Sequence, residues 1–294
     1  MRFDLISRSK LWLALSGTVI VIGLVALLVR GGLNLGIDFR GGTLLQLRFA
    51  KAVSTEEVRN VLKNYGLEKS GIQNSGSNTV LIRTRDLADQ ERQNVLAGLK
   101  EKLGDYEVLR AERVGGIVSK ELTNNAFLAL TIASILMLIY ITLRFEFKFA
   151  VAGILALIHD VLITVGLFAL FNIEVDSTFV AAILTIVGYS INDTIVVFDR
   201  IREHLKTHRK ESLRELVNNS INETLVRSIN TSLTTLCAVL ALLFFGGETT
   251  KVFALALFIG LTSGTYSSLF IASPLWYLWR RAELDRAASA PAKS

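Results

Sequence analysis

Two carboxylates sit inside apolar runs, where acids are costly. Asp193 falls within residues 179–198 and Asp160 within 149–171. An ionised carboxylate at bilayer depth costs at least roughly 2.5–3.5 kcal/mol on insertion scales, so an acid kept there points to function. Asp193 lies seven residues, roughly 10 Å along a helix, from the basic end of its run at Arg200. A later run, 228–245, is entered through Arg227, Asn230, Thr231 and Thr234. Their i, i+3, i+4, i+7 spacing puts them on one helical face, and Arg227 then reaches the depth of Asp193. A carboxylate that trades a guanidinium for a proton, and back, performs proton passage. The same two residues read otherwise as a permanent ion pair that only holds helices together. Thr185, Tyr189 and Asn192 share one side of the Asp193 helix, and Ser190 stands one turn from the acid, so a hydrated polar track is expected between two helices. His159 precedes Asp160, and this pair is either part of the proton route or an orienting contact between helices.

The elements that must position these groups are membrane spans. Hydrophobic residues make up 51% of the 294 positions, charged residues only 20%, and proline occurs twice, against about 5% proline in ordinary usage. Disorder, collagen and disulfide-stapled miniproteins are excluded; one cysteine, Cys237, forms no internal bridge. Runs 11–29, 126–143, 149–171, 179–198, 228–245 and 252–279 each approach or exceed the roughly 18 apolar residues that read as a spanning helix. The first run is too long, and lacks the small-residue cleavage pattern, to be a secretory signal; it is expected to stay as an anchor. Sixteen Lys or Arg fall on the N-terminal side of the six spans and only Lys251 in the two short opposite loops. That asymmetry predicts cytoplasmic termini. The net charge of +6 follows from this topology and does not indicate nucleic acid.

Between the first two spans, residues 30–125 alternate strand and helix signals. A strand at 43–49 precedes a helix opened by Ser54 and Glu57 as a capping box. Short extended pieces follow around Ile72 and at 79–85, separated by the turn Ser75-Gly76-Ser77-Asn78; then come a helix at 87–103 and a strand at 106–114. The order βαββαβ suggests a ferredoxin-like α+β domain outside the membrane. It carries no His or Cys, so a binding or mechanical module is expected, with no catalytic or metal site. The domain plan is a cytoplasmic N-terminus and first span at 1–29, the periplasmic domain at 30–125, a bundle at 126–279 and a cytoplasmic tail at 280–294. Within the bundle, Ser212 and Glu215 would cap an amphipathic helix, spanning about 200–227, on the cytoplasmic membrane surface. In the last span Ala256, Gly260, Gly264, Ser268 and Ala272 recur every four residues and permit close helix approach. Gly31-Gly32, Gly41-Gly42 and Gly115-Gly116 would act as hinges or simply as turns.

Two strings carry a family resemblance. Gly36-Ile37-Asp38-Phe39-Arg40-Gly41-Gly42-Thr43 follows the first span, and Gly188-Tyr189-Ser190-Ile191-Asn192-Asp193-Thr194-Ile195-Val196-Val197-Phe198-Asp199-Arg200 fills the fourth. With His159-Asp160 and Arg227-Ser228-Ile229-Asn230-Thr231-Ser232, they resemble the SecF family of bacterial Sec protein-translocation subunits. The resemblance covers nearly the whole chain. It implies half of a resistance-nodulation-division type transporter in the bacterial cytoplasmic membrane, paired with a six-span SecD and acting beside the SecYEG channel on exported unfolded polypeptides. It also implies proton passage through the residues matching Asp193 and Arg227, with no cofactor beyond the coupling ion, H⁺ or alternatively Na⁺. Two rival classes stand beside it. An intramembrane aspartyl protease would need Asp160 and Asp193 to face one another, although no Gly-x-Gly-Asp signature precedes Asp193. An exporter of small lipophilic molecules would need a substrate cleft for which one compact exterior domain leaves little room.

Overall fold

The computed structural model describes residues 4–289 except 75, 77, 145 and 208–210. It forms two compact units, Met1–Asn34 with Ala129–Ser294, and Leu35–Leu128. The chain enters through a 3₁₀ turn, Ile6–Arg8, that leads directly into α1, Ser9–Val29.

The smaller unit contains β1 (Gly42–Phe49), α2 (Thr55–Lys63), β2 (Gly71–Asn74), β3 (Thr79–Thr84), α3 (Asp89–Leu103) and β4 (Tyr106–Val114). The sheet is antiparallel throughout, in the order β2-β3-β1-β4. Leu45, Leu47 and Phe49 alternate along β1 and pack against Val58, Val61 and Leu62 of α2 and Val95 and Leu99 of α3, as a period of two requires of a sheet with one face on helices. The expected capping box opens α2: Glu57 N donates to Ser54 Oγ at 3.2 Å, and Ser54 N to Glu57 Oε2 at 2.8 Å. Of the expected turn at 75–78, Ser75 and Ser77 lie outside the described residues. Helix α3 begins two residues later than its apolar pattern, because Leu87 is an anchor before it: fully buried, with its N–H bonded to Thr43 Oγ1 at 3.0 Å. At Gly42, φ is +127° and a Cβ would lie 2.3 Å from the Thr84 carbonyl oxygen. Only glycine allows β1 to start this close to the end of β3.

Among the described residues, six helices are long and apolar enough to cross a membrane. After α1 they are α4 (Gly116–Arg144), α5 (Phe147–Leu170), α6 (Ser177–Thr207), α7 (Leu213–Phe245) and a final span made of α8 (Glu248–Ser267), a π-helical turn (Ser268–Ala272) and α9 (Ser273–Ser289). Pro274 accounts for the turn. Proline has no N–H and its ring clashes with the carbonyl four residues earlier, and a π turn widens the helix at that point. Ser273 Oγ, beside the proline, donates to the Ser268 carbonyl at 3.2 Å. Phe149 of α5 stacks on Trp276 of α9 at 4.6 Å and packs on Phe198 of α6 at 4.9 Å.

Small residues bring these helices together. A Cβ on Gly260 would meet Ile186 Cδ1 at 2.2 Å, and one on Gly264 would meet Ser190 Cβ at 2.9 Å, so the four-residue stripe of α8 seats against α6. A Cβ on Gly23 would fall 2.6 Å from Gly166 Cα, which places the backbones of α1 and α5 in contact.

The surface helix expected over 200–227 does not form as a separate element. Residues 200–207 continue α6, while the Ser212–Glu215 capping box opens α7, which runs unbroken to Phe245. Nothing in 213–245 breaks a helix, since the segment contains no proline or glycine. The apolar face Leu216, Val217 and Ile221 is buried with Leu5, Ile6, Val197 and Ile201. Its polar edge is tied to α6 by Ser220 Oγ at 3.0 Å from His204 Nδ1 and by Arg200 Nε donating to Glu223 Oε2 at 2.6 Å. Its partner is therefore protein.

Candidate functional site

The larger unit buries a polar cluster among α5, α6 and α8. Asp160, on α5, is 0% exposed. Its Oδ1 accepts from Ser263 Oγ at 2.8 Å and contacts His159 Nδ1 at 3.0 Å; its Oδ2 accepts from Ser190 Oγ at 2.6 Å and Ser267 Oγ at 2.7 Å. A carboxylate offers about four lone-pair sites, and all four have a partner here. An ionised Asp160 is thus satisfied without a full counter-charge, provided that His159 carries its proton on Nδ1. The cluster also accommodates the neutral acid. Ser267 Oγ lies 3.2 Å from the Gly264 carbonyl, so its proton can turn to that carbonyl and free the oxygen to accept from a protonated Asp160.

The helical periods make this convergence. Ser263 and Ser267 stand four apart on α8, one residue before the Gly260 and Gly264 stripe, so close helix contact and hydroxyl donation come from adjacent rows. Ser190 and Thr194 stand four apart on α6; Thr194 Oγ1 lies 2.8 Å from Ser268 Oγ and donates to the Ser190 carbonyl at 3.1 Å. His159 Nε2 is buried without a partner among the described residues. Its ring stacks on Tyr266 at 6.1 Å, and Tyr266 Oη donates to the Trp12 carbonyl of α1 at 3.1 Å.

Asp193 lies one turn along α6 from Ser190 and is 8% exposed. Its Oδ1 accepts from Ser228 Oγ of α7 at 2.7 Å, and its Oδ2 has no hydrogen-bond partner among the described residues. Ser228 therefore takes the place that the sequence suggests for Arg227. One residue is about 100° of helix, and Arg227 lies on the exposed side of α7, acting on Asp193 only through space. Asn230, Thr231 and Thr234 follow it on that exposed side, and Asn192 is exposed on α6. Thr231 and Thr234 hydroxyls return to carbonyls of their own helix, those of Arg227 and Asn230, at 2.9 and 3.1 Å.

Of the residues singled out from sequence, His159 and Asp160 meet, while the side chains of Arg227 and Asn192 make no hydrogen bond or ion pair with Asp193. The residues that do complete the two sites, Ser190, Ser228, Ser263 and Ser267, are all serines. The Ser263/Ser267 spacing was the available signal. The two carboxylates bind separate sets of hydroxyls and share no hydrogen-bond partner among the described residues. Asp38 and Phe39 lie in the single helical turn Ile37–Arg40 of the smaller unit, which ends with Gly41 N donating to the Ile37 carbonyl at 2.8 Å.

The family described as protein export membrane protein SecD/SecF, C-terminal, matches residues 94–282, and the SecD/SecF GG motif matches residues 25–53. Protein translocase subunit SecF of Sebaldella termitidis is 45% identical over 287 residues, covering 96% of this chain and 93% of the relative. Protein translocase subunit SecDF of Bacillus subtilis is 40% identical over 291 residues; the match takes in 97% of this chain but 39% of that longer protein. The crystal structure of SecDF, a translocon-associated membrane protein from Thermus thermophilus, has a TM-score of 0.88 and 40% identity, covering 96% of this chain and 39% of that one. The GG motif and the two buried acids lie within the matched segments, and the chain belongs to the SecF family of protein-export membrane proteins.

Proposed function

We propose that the chain is a non-enzymatic transport subunit of the bacterial cytoplasmic membrane, with cytoplasmic termini. Together with a SecD partner and beside the SecYEG channel, it uses the proton gradient to promote export of unfolded polypeptides. The observation that carries this reading is Asp193: a buried acid in a spanning helix with one oxygen on Ser228 and the other without a hydrogen-bond partner among the described residues. A buried acid that serves only as a fixed contact is expected to have both oxygens satisfied. Asp193 is the group that gains and loses the proton, Arg227 is the cation that answers its charge, and Asp160 with His159 is the second station, one turn away through Ser190.

The exposed row of Arg227, Asn230 and Thr231 supports the SecD partnership. A cationic side chain facing hydrocarbon costs roughly 2.5–3.5 kcal/mol on insertion scales, and a second six-span subunit laid over this face removes that cost. The SecDF relatives, in which a segment like this chain makes up 39% of a longer polypeptide, fit such a pairing. One proton crossing 100 mV supplies about 2.3 kcal/mol, which shifts a two-state equilibrium about 50-fold. The test is export of a secretory protein into membrane vesicles with and without a proton gradient. Asp193→Asn is expected to abolish the gradient-dependent part while SecD still co-purifies, and Arg227→Ala to impair it. A full gradient response in Asp193→Asn would remove Asp193 from the mechanism.

A further inference from the structure

A second site lies at the start of α1, lined by neither buried acid. A groove of about 600 Å³ opens beside the N-terminal segment. Trp12, Leu225, Ile229 and Phe270 form its apolar floor, with Ser7 and Arg8 on its rim; Trp12 sets its edge on Phe270 at 4.8 Å. Hydrogen bonds hold the groove's frame. Asn218 Oδ1 accepts from Leu5 N and Ile6 N at 3.0 and 3.1 Å, and Asn218 Nδ2 donates to Asp4 at 2.7 Å. Asp4, also on the rim, is neutralised by an ion pair with Arg214. Arg8 is exposed, and it makes no ion pair or hydrogen bond to another described residue. The rim is therefore left with one uncompensated positive charge.

We propose that this groove binds one anionic glycerophospholipid, an acyl chain lying on the Trp12–Phe270 floor and the phosphate on Arg8. The position fits that occupant. The groove straddles the point where charged residues, Arg8 and Lys10, give way to the apolar run that begins at Leu11. That is the headgroup level of a bilayer, where tryptophans concentrate and basic pockets between spanning helices take acidic lipid headgroups. Half-exposed Ile229 leaves the floor open to an acyl chain. The groove owes nothing to the proton reading and stands if that reading fails.

Bromolipid quenching of tryptophan tests it on the full chain. The protein is placed in nanodiscs of dioleoylphosphatidylcholine containing a minor fraction of dibrominated phosphatidylglycerol or dibrominated phosphatidylcholine. The chain has three tryptophans, Trp12, Trp276 and Trp279, and subtracting the Trp12→Phe variant isolates the first. A single arginine near the membrane surface predicts about a fivefold higher apparent affinity of the Trp12 site for the anionic bromolipid. Arg8→Gln, at an exposed position with no partner to lose, is expected to erase the preference, and Ile229→Phe to weaken quenching by both lipids. Equal quenching by the two bromolipids, an unchanged preference in Arg8→Gln, or no Trp12-dependent quenching each overturns the proposal; the last would mean that protein fills the groove.

Discussion

Replacing Asp160 by alanine removes the shared acceptor of three hydroxyls from two other helices: Ser190 of α6, and Ser263 and Ser267 of α8. In water-soluble cores a buried donor left unsatisfied costs about 1–3 kcal/mol, and three of them would approach the whole stability of a domain. The membrane lowers that figure, because the unfolded helices also find partners within the bilayer; interhelical hydrogen bonds there average about 0.6 kcal/mol and reach about 1.7. Three bonds then give about 2–5 kcal/mol. The value lies toward the lower end, since Ser267 keeps the Gly264 carbonyl at 3.2 Å as an alternative. Asp160→Asn should cost much less. It retains an acceptor oxygen for Ser263 and His159, and its amide can donate to Ser267 once that hydroxyl turns to Gly264. The assay is unfolding of the detergent-solubilised chain by sodium dodecyl sulfate, followed by tryptophan emission. Alanine is expected to be the less stable by at least about 1 kcal/mol. Equal unfolding midpoints for the two variants would show that the hydroxyls do not depend on the carboxylate, and the cluster would lose its place at the centre of the bundle.

Other consequences can be checked on the same material. Gly166→Leu should force apart α1 and α5, whose backbones meet at Gly23 and Gly166, and lower stability by about 1–3 kcal/mol in the same unfolding assay. Gly42→Ala combines a left-handed φ with a clash on Thr84 and should loosen β1 and β3, costing more than about 1 kcal/mol and raising hydrogen exchange there but not in the spans. The hydrogen bond and charge of Arg113 hold the Asp86 carboxyl below its ordinary range. Because the folded value is the depressed one, this pair stabilises above the unfolded value, near pH 4, and the contribution disappears as pH falls through the folded value. Amide exchange in β3 and β4 should therefore be faster in Asp86→Asn than in the parent at pH 7, with the difference closing in acid; a difference independent of pH would refute the pairing.

The six spans were legible because each is a long apolar run, and the capping boxes at Ser54 and Ser212 were legible because they depend on neighbours three residues apart. The facing of α7 was not. Polar residues line two of its rows, Arg227, Asn230, Thr231 and Thr234 on one and Ser228 and Ser232 on the next. In a membrane, polarity alone does not say which row turns inward, since the outer row can be met by another protein subunit. Burial chooses the serine row because Ser228 is short enough to reach Asp193 where α6 and α7 pack closely. The serines of α8 were hidden for a related reason: its glycine row reads as packing, and the adjacent hydroxyls acquire meaning only once that packing brings them against Asp160. The continuity of α7 was missed because polarity changes near Ser228 while helix propensity does not.

The widened turn before Pro274 sets the phase of the last span. Upstream, Ser263 and Ser267 must point at Asp160; downstream, Trp276 must lie flat on Phe149. One residue in a regular helix is worth about 100° of rotation, so the two targets can be met together only if the reading frame slips between them. Excising Leu269 would remove the one extra residue that the π turn absorbs, so a regular helix would then keep the hydroxyls on the acid and the indole on its aromatic neighbour. An insertion at the same place would add a second residue for the turn to absorb, and failing that would set the two halves about 100° out of phase. The π turn is thus what lets the last span carry an extra residue while both of its ends meet their targets.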